Sequence, residues 1–232
     1  MAKKELLLKD SDIPGKLNIG AEELKGSGPT LSGFSRRALS VFKFIIGICL
    51  LPFVYSASVS FLNEFAAVDK AFRDYFWAGV AGFIIIYLFI YEPVIVYNKG
   101  QKLLGVLFQF LKPLVKVAPY VLPIYTIVVF LVYLALSFLL KTKESVGYFV
   151  FLLSFSLTLH LIFSAKSVRS KQGDFLKANY IFGFSFVYIM DVALLAFFIN
   201  IMFGEFSFVN FINSSFQAGK GIIYTVFKQL FL

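Results

Sequence analysis

Long apolar runs alternate with short polar segments along most of the chain. Five of these runs approach or exceed the 20 or so helical residues that cross about 30 Å of hydrocarbon. The pattern therefore predicts an all-α, polytopic membrane protein, with a bundle of about five transmembrane helices and additional interfacial amphipathic segments. The predicted spans are roughly 38–62, 75–97, 117–140, 146–165 and 178–203.

The two ends of the chain differ in composition from the bundle predicted at 38–203. Residues 1–37 mix charged side chains with prolines and glycines, which predicts a flexible cytoplasmic tail. Residues 204–232 finish with an apolar piece that is too short to span a bilayer once it is counted from Gly221. We therefore expect the last segment to be an interfacial helix on the exported side or a segment that docks on a partner.

A basic amphipathic stretch precedes the third predicted span. At 100° per residue, Lys102, Lys112 and Lys116 fall on one side of a helix over 100–116, and leucines occupy most of the remaining circumference. This pattern predicts a helix that lies in the cytoplasmic interface and contacts anionic lipid head groups through these lysines. The alternative is that the stretch extends the third span.

Composition and charge agree with a membrane protein. The chain is 59% hydrophobic, against about 45–50% in ordinary soluble domains. Its net charge of +9 comes from short loops between apolar runs, where lysine and arginine orient a chain toward the cytoplasm, and no nucleic-acid motif accompanies it. Strongly and weakly positive loops alternate, which predicts a cytoplasmic N-terminus, an exported C-terminus and a location in a bacterial inner membrane.

The inventory of reactive side chains does not predict an enzyme. A single histidine excludes the two-histidine zinc motif of metalloproteases, and no G-x-S-x-G or phosphate-binding loop occurs. A single cysteine, Cys49, excludes a zinc site of several thiolates, and its place in an apolar run is typical of a core residue. We expect neither a cofactor nor a metal.

Ionisable residues inside the spans are the candidate functional positions, because placing charge in hydrocarbon costs a few kcal/mol or more. Counted from the nearest loop lysine, Asp191 lies about 21 Å deep, whereas His160 and Glu92 lie only about 9–10 Å deep. These depths predict that His160 and Glu92 could meet and that Asp191 could not join them directly. Neutral groups, including Ser154 and Tyr188, are expected near Asp191, and desolvation should keep its carboxyl protonated as a hydrogen-bond donor.

Two functions are consistent with this pattern. The first is a non-enzymatic subunit or scaffold of a larger membrane assembly, whose partners are the lipid bilayer and other membrane proteins. Small residues at Ala78, Gly79, Ala81 and Gly82 would permit the close helix contacts of such a bundle. The alternative is a carrier or channel for a proton, ion, lipid or small solute that uses Asp191.

Overall fold

The computed structural model describes residues 33–109, 118–137, 143–170 and 180–231, and every regular element within these ranges is a helix. The all-helical class predicted from the sequence is therefore confirmed. Residues 1–32 of the predicted tail lie outside the described residues, whereas Gly33–Arg37 begin the first helix. The helices are α1 Gly33–Phe65, α2 Lys70–Ile85, a π-helical turn Ile86–Ile90, α3 Val94–Leu107, α4 Ala118–Val121, α5 Ile124–Leu136, α6 Lys143–Ser170, α7 Tyr180–Met202 and α8 Phe208–Phe231.

Four helical stretches within the described residues are long and apolar enough to cross a membrane. They overlap the first, second, fourth and fifth predicted spans. The residues that the structure describes within the third predicted span, 117–140, form the short α4 and the 13-residue α5, so the count of five spans is not confirmed. Pro123, at the start of α5, has no amide hydrogen and disfavours a helical conformation at the residue before it, which accounts for the break. The four stretches are Val41–Phe65, Lys70–Ile90, Ser145–Arg169 and Tyr180–Met202.

A second proline interrupts the apolar run that begins in α2. The helix passes into the π-helical turn Ile86–Ile90, and Tyr91 then adopts an extended conformation two residues before Pro93. Pro93 precedes the first residue of α3 and supplies no amide hydrogen. The helix that began as α2 therefore ends at this point, and the chain continues as the separate helix α3.

The contact between α2 and α6 is the most extensive in the fold. A side chain at Gly79 would overlap with the carbonyl of Phe151 and the hydroxyl of Ser154, so only glycine permits this approach. Across the same contact, the Ser154 hydroxyl donates a hydrogen bond of 2.8 Å to the Phe76 carbonyl. Gly79, one of the small residues expected to permit a close helix contact, therefore lies at the contact between α2 and α6.

The helix contacts assign directions to the long helices. Gly47 of α1 lies against Phe182 of α7, and further along both helices Ser58 contacts Tyr188, so α1 and α7 are parallel. Successive contacts between aromatic rings of α2 and α6 follow the same order along both helices, so these two helices are parallel as well. Those contacts are Phe83 with Phe155 and Tyr87 with Phe163.

These directions give the bundle a basic end and an acidic end. The basic end is where α2 and α6 finish, and α3 lies against it through Tyr97, which contacts Phe163. The opposite end holds the loop after α1, and there Glu64 accepts a hydrogen bond from the Ser207 amide. The basic end carries Lys99, Lys102, Lys166 and Arg169, and the acidic end carries Glu64, Asp69, Asp74 and Glu205.

Candidate functional site

The fold brings two ionisable side chains together in the interior. Asp191 lies midway between Tyr180 and Met202 in α7, and its side chain is completely buried. His160 of α6 is also buried, and its Nε2 atom lies 3.6 Å from Oδ2 of Asp191. The expectation that Asp191 could not join His160 is therefore wrong.

The error came from using loop lysines as markers of the membrane boundary. Lys166 lies within α6, which continues to Ser170, so His160 is deeper than its distance from Lys166 implied. Measured from the helix ends, His160 is about 14 Å from Arg169 and Asp191 about 16 Å from Tyr180. The two side chains therefore lie at similar depths on neighbouring helices.

A chain of hydrogen bonds leads from His160 toward the basic end of the bundle. Ser164, one turn further along α6, places its Oγ atom 3.2 Å from His160 Nε2 and 3.2 Å from the hydroxyl of Tyr97. The amide of Gln101 in turn donates to the Tyr97 hydroxyl. Burial raises the pKa of Tyr97 to about 12, so its phenol is neutral near pH 7 and retains its proton.

The Ser164 hydroxyl has two alternative acceptors for its single proton. It donates to the backbone carbonyl of Tyr120, 3.2 Å away, and its oxygen then accepts a hydrogen bond from Tyr97. Rotation of the hydroxyl would instead direct the proton toward Nε2 of His160. Ser164 can therefore connect Tyr97 to His160 without any movement of the helices.

Neither carboxyl oxygen of Asp191 has a hydrogen-bond partner among the described residues. The 3.6 Å separation from His160 is too long for a hydrogen bond, although it suits an ion pair. A buried polar group without a partner is rare in native proteins, because its desolvation is not compensated. Among the described residues, Ser215 Oγ and Arg73 Nε are also buried without a partner, but Asp191 is the only carboxyl group in this state.

Two cavities are lined by residues of α6 that are close to His160 in the helix or by His160 itself. A cavity of about 10 Å³, enough for one water molecule, is lined by His160, Tyr97 and Gln101 and by residues at the break between α4 and α5. A larger cavity of about 390 Å³ lies between α1, α2, α6 and α7 and is mainly apolar. Its wall includes residues that flank His160 and Asp191 along α6 and α7, namely Leu157, Thr158, Leu161, Ile162, Tyr188, Val192 and Leu195.

The remaining candidate residues form separate contacts. Glu92 pairs with Lys166 at the basic end, where both side chains are about half exposed, rather than with His160. Tyr188 contacts Ser58, and Ser154 bonds to the α2 backbone, so neither supplies a hydrogen bond to Asp191. Lys102 is exposed on α3, whereas Lys112 and Lys116 lie outside the described residues.

Sequence reasoning missed three members of this network: Tyr97, Gln101 and Ser164. A signal for them was present, because His160 and Ser164 are four residues apart, as are Tyr97 and Gln101. Residues with this spacing lie on the same face of a helix. The pairing of the two faces depends on α3, which folds back against the bundle.

In the part of the chain that the structure describes, no three His, Cys, Asp or Glu side chains come together in a group that could hold a metal ion. Comparison of the chain with protein-family models, curated proteins and solved structures found no match. The chemistry of the buried network is therefore the basis for a functional conclusion.

Proposed function

We propose that this chain is a non-enzymatic, proton-linked carrier of an apolar or amphipathic small molecule. The observation that carries the proposal is the His160–Asp191 pair, which has an unsatisfied carboxyl group and whose neighbours along α6 and α7 line the larger cavity. Buried chains of acidic residues and histidine serve as proton relays in membrane transport proteins. The cavity volume falls within the range of small-molecule sites.

The pair is suited to binding one proton in a low-dielectric interior. With one proton bound, the pair has no net charge, whether that proton is on Asp191 or on His160. Loss of the proton leaves a net negative charge between α6 and α7, which is unfavourable in the interior. Protonation of the pair can therefore shift the packing of the two helices that also line the larger cavity.

Tyr97 and Gln101 provide the route by which the proton enters. Gln101 is partly exposed on α3, and the hydrogen-bonded chain continues through Tyr97 and Ser164 to His160. The proton on Ser164 passes to His160 after the hydroxyl rotates, and Tyr97 then supplies a proton to Ser164. A water molecule on the side of Gln101 gives Tyr97 a proton in the same concerted shift, so the phenol is not left ionised; the Gln101 amide orients the Tyr97 hydroxyl and transfers no proton itself.

The proposed topology places the basic end of the bundle in the cytoplasm of a bacterial cell. The supporting observation is that Lys99, Lys102, Lys166 and Arg169 lie at this end, in agreement with the usual excess of basic residues on the cytoplasmic side. We propose that α4 and α5 together form the third of the five crossings predicted from the sequence. The exposed Lys102 of α3 would then contact anionic lipid at the inner membrane surface.

Substitution of Asp191 tests the carrier function. In Asp191→Asn, a neutral side chain of similar size is retained but cannot exchange a proton, so we expect normal thermal stability and loss of proton flux. The assay is the fluorescence of a pH-sensitive dye inside proteoliposomes that contain the purified full chain. Thr126→Val is a matched control, because it removes a buried hydroxyl that bonds to Ser156, outside the relay.

A second candidate is the subunit or scaffold predicted from the sequence, and the exposed polar side chains of α8 favour it. This hypothesis predicts that Asp191→Asn remains stable and functional in a cell-based complementation assay. A folded Asn variant with unchanged proton flux would contradict the carrier proposal.

A further inference from the structure

The C-terminal helix α8 runs antiparallel to α1. Near the acidic end, the ring of Phe211 lies 6.4 Å from that of Phe61. Further along, Gly219 lies against the ring of Phe53, which also contacts Phe216 at 6.1 Å. The separation between the two contacts is the same number of residues on each helix, so the two axes stay close to antiparallel over this distance.

This register carries α8 back across the bundle. The helix has 24 residues, which corresponds to about 36 Å. If the register with α1 continues, Phe231 lies opposite Val41, where the apolar stretch of α1 begins. The helix therefore extends over the same depth as α1 and ends at the basic end. An interfacial helix would instead lie roughly perpendicular to α1.

One side of α8 is polar along nearly its whole length. At 100° per residue, eight of its polar side chains fall within a sector of about 140°, and Ser215 and Gln229 lie outside it. This polar stripe does not face α1, because Phe211, Ser215 and Gly219 are the buried residues on that side. The stripe consists of Asn210, Asn213, Ser214, Gln217, Lys220, Tyr224, Thr225 and Lys228, all of them exposed.

We propose that α8 crosses the membrane and that its polar stripe pairs with the same stripe of a second copy of this chain. Amide and hydroxyl groups exposed to hydrocarbon are unfavourable, and hydrogen bonds between helices compensate them. Asparagine, glutamine and serine each donate and accept hydrogen bonds, so two identical stripes are complementary to each other. The inference is independent of the proton-linked function.

The two lysines are compatible with this pairing. Lys220 lies at the edge of the stripe, so a two-fold axis places the two copies of this residue on opposite flanks of the helix pair. Lys228 is close to the end of α8, and its long side chain can extend to the membrane surface. Neither ammonium group therefore has to face its symmetry mate within the hydrocarbon.

Cysteine cross-linking in native membranes tests the pairing. The natural Cys49 is first replaced by serine, and single cysteines are then introduced at Asn213 or Gln217 within the stripe. Ile212→Cys and Ile223→Cys are the controls, because these exposed apolar residues lie on another side of the same helix. A disulfide needs Cα atoms within about 7 Å, so we expect the stripe variants to give several-fold more cross-linked dimer than the controls.

Two further measurements distinguish the possible occupants of the stripe. The stripe cysteines should be protected from a membrane-impermeant maleimide, and a reporter fused after Leu232 should be on the same side as one fused after Lys171. Protection without cross-linking would mean that another protein or another segment covers the stripe, which would overturn the proposed pairing. Free labelling of the stripe, equal cross-linking of the controls, or reporters on opposite sides would also overturn it.

Discussion

Replacing Gly79 by alanine tests the contact that holds α2 against α6. The added methyl group would overlap with the Phe151 carbonyl, and backbone atoms cannot move away by changing a rotamer. It would also displace the Ser154 hydroxyl from its hydrogen bond to Phe76. Overpacking of this kind typically lowers the free energy of unfolding by about 1–3 kcal/mol, and this figure includes the effect of moving the two helices apart.

Gly82→Ala provides a control in the same helix. A methyl group at Gly82 would meet only the Phe151 ring, at an ordinary distance of 3.5 Å. Alanine is favoured over glycine within helices by up to about 1 kcal/mol, so this variant should be neutral or slightly stabilised. The free energies of unfolding of the two variants should therefore differ by about 1–4 kcal/mol.

Thermal unfolding of the purified protein in detergent measures this difference. For a chain of this size, 1 kcal/mol shifts the midpoint by about 2–4 °C, so Gly79→Ala should melt about 2–16 °C below Gly82→Ala. Equal midpoints for the two variants would refute the close approach at Gly79. A lower midpoint for Gly82→Ala would refute the assignment of which glycine lies at the contact.

Two further predictions concern contacts outside the relay. The Ser58 hydroxyl donates its single proton to the Val54 carbonyl at 2.7 Å, so Tyr188 must be the donor in the 2.8 Å contact between the Ser58 and Tyr188 hydroxyls. A double-mutant cycle of Ser58→Ala and Tyr188→Phe, measured by unfolding in detergent, should give a coupling energy of about 0.6 kcal/mol. A coupling energy of zero would contradict this hydrogen bond. Replacement of Lys102, Lys112 and Lys116 by glutamine should weaken the association of the purified protein with anionic over neutral lipid while its thermal midpoint is retained, whereas an unchanged lipid preference would reject the interfacial role of this segment.

The buried site illustrates what a single sequence can predict about function. Asp191 and His160 were identified as candidates because ionisable residues are rare within apolar runs. Their contact was not predicted, because the depth of each side chain was measured from a lysine rather than from the end of its helix. Tyr97 joins the site only because the chain leaves α2 before Pro93 and returns along the bundle as α3.

The C-terminal helix shows the same dependence on tertiary contacts. The sequence predicted an interfacial or docking segment here, because the apolar piece counted from Gly221 is too short to span a bilayer. In the structure α8 continues through Gly219 and Gly221, and Gly219 allows the helix to pack closely on Phe53. Packing against α1 therefore outweighs the low helix propensity of glycine.

The sequence by itself determined the all-helical class of this protein and the four long apolar helices that suit a membrane. Runs of apolar residues must form helices in a bilayer, because backbone groups have no other hydrogen-bond partners there, and this requirement depends on composition and run length alone. Tertiary structure decided which polar side chains meet, because the axial offset and rotation of neighbouring helices come from close contacts such as that at Gly79. The approach of His160 to Asp191 and the return of α8 along α1 are both consequences of such contacts.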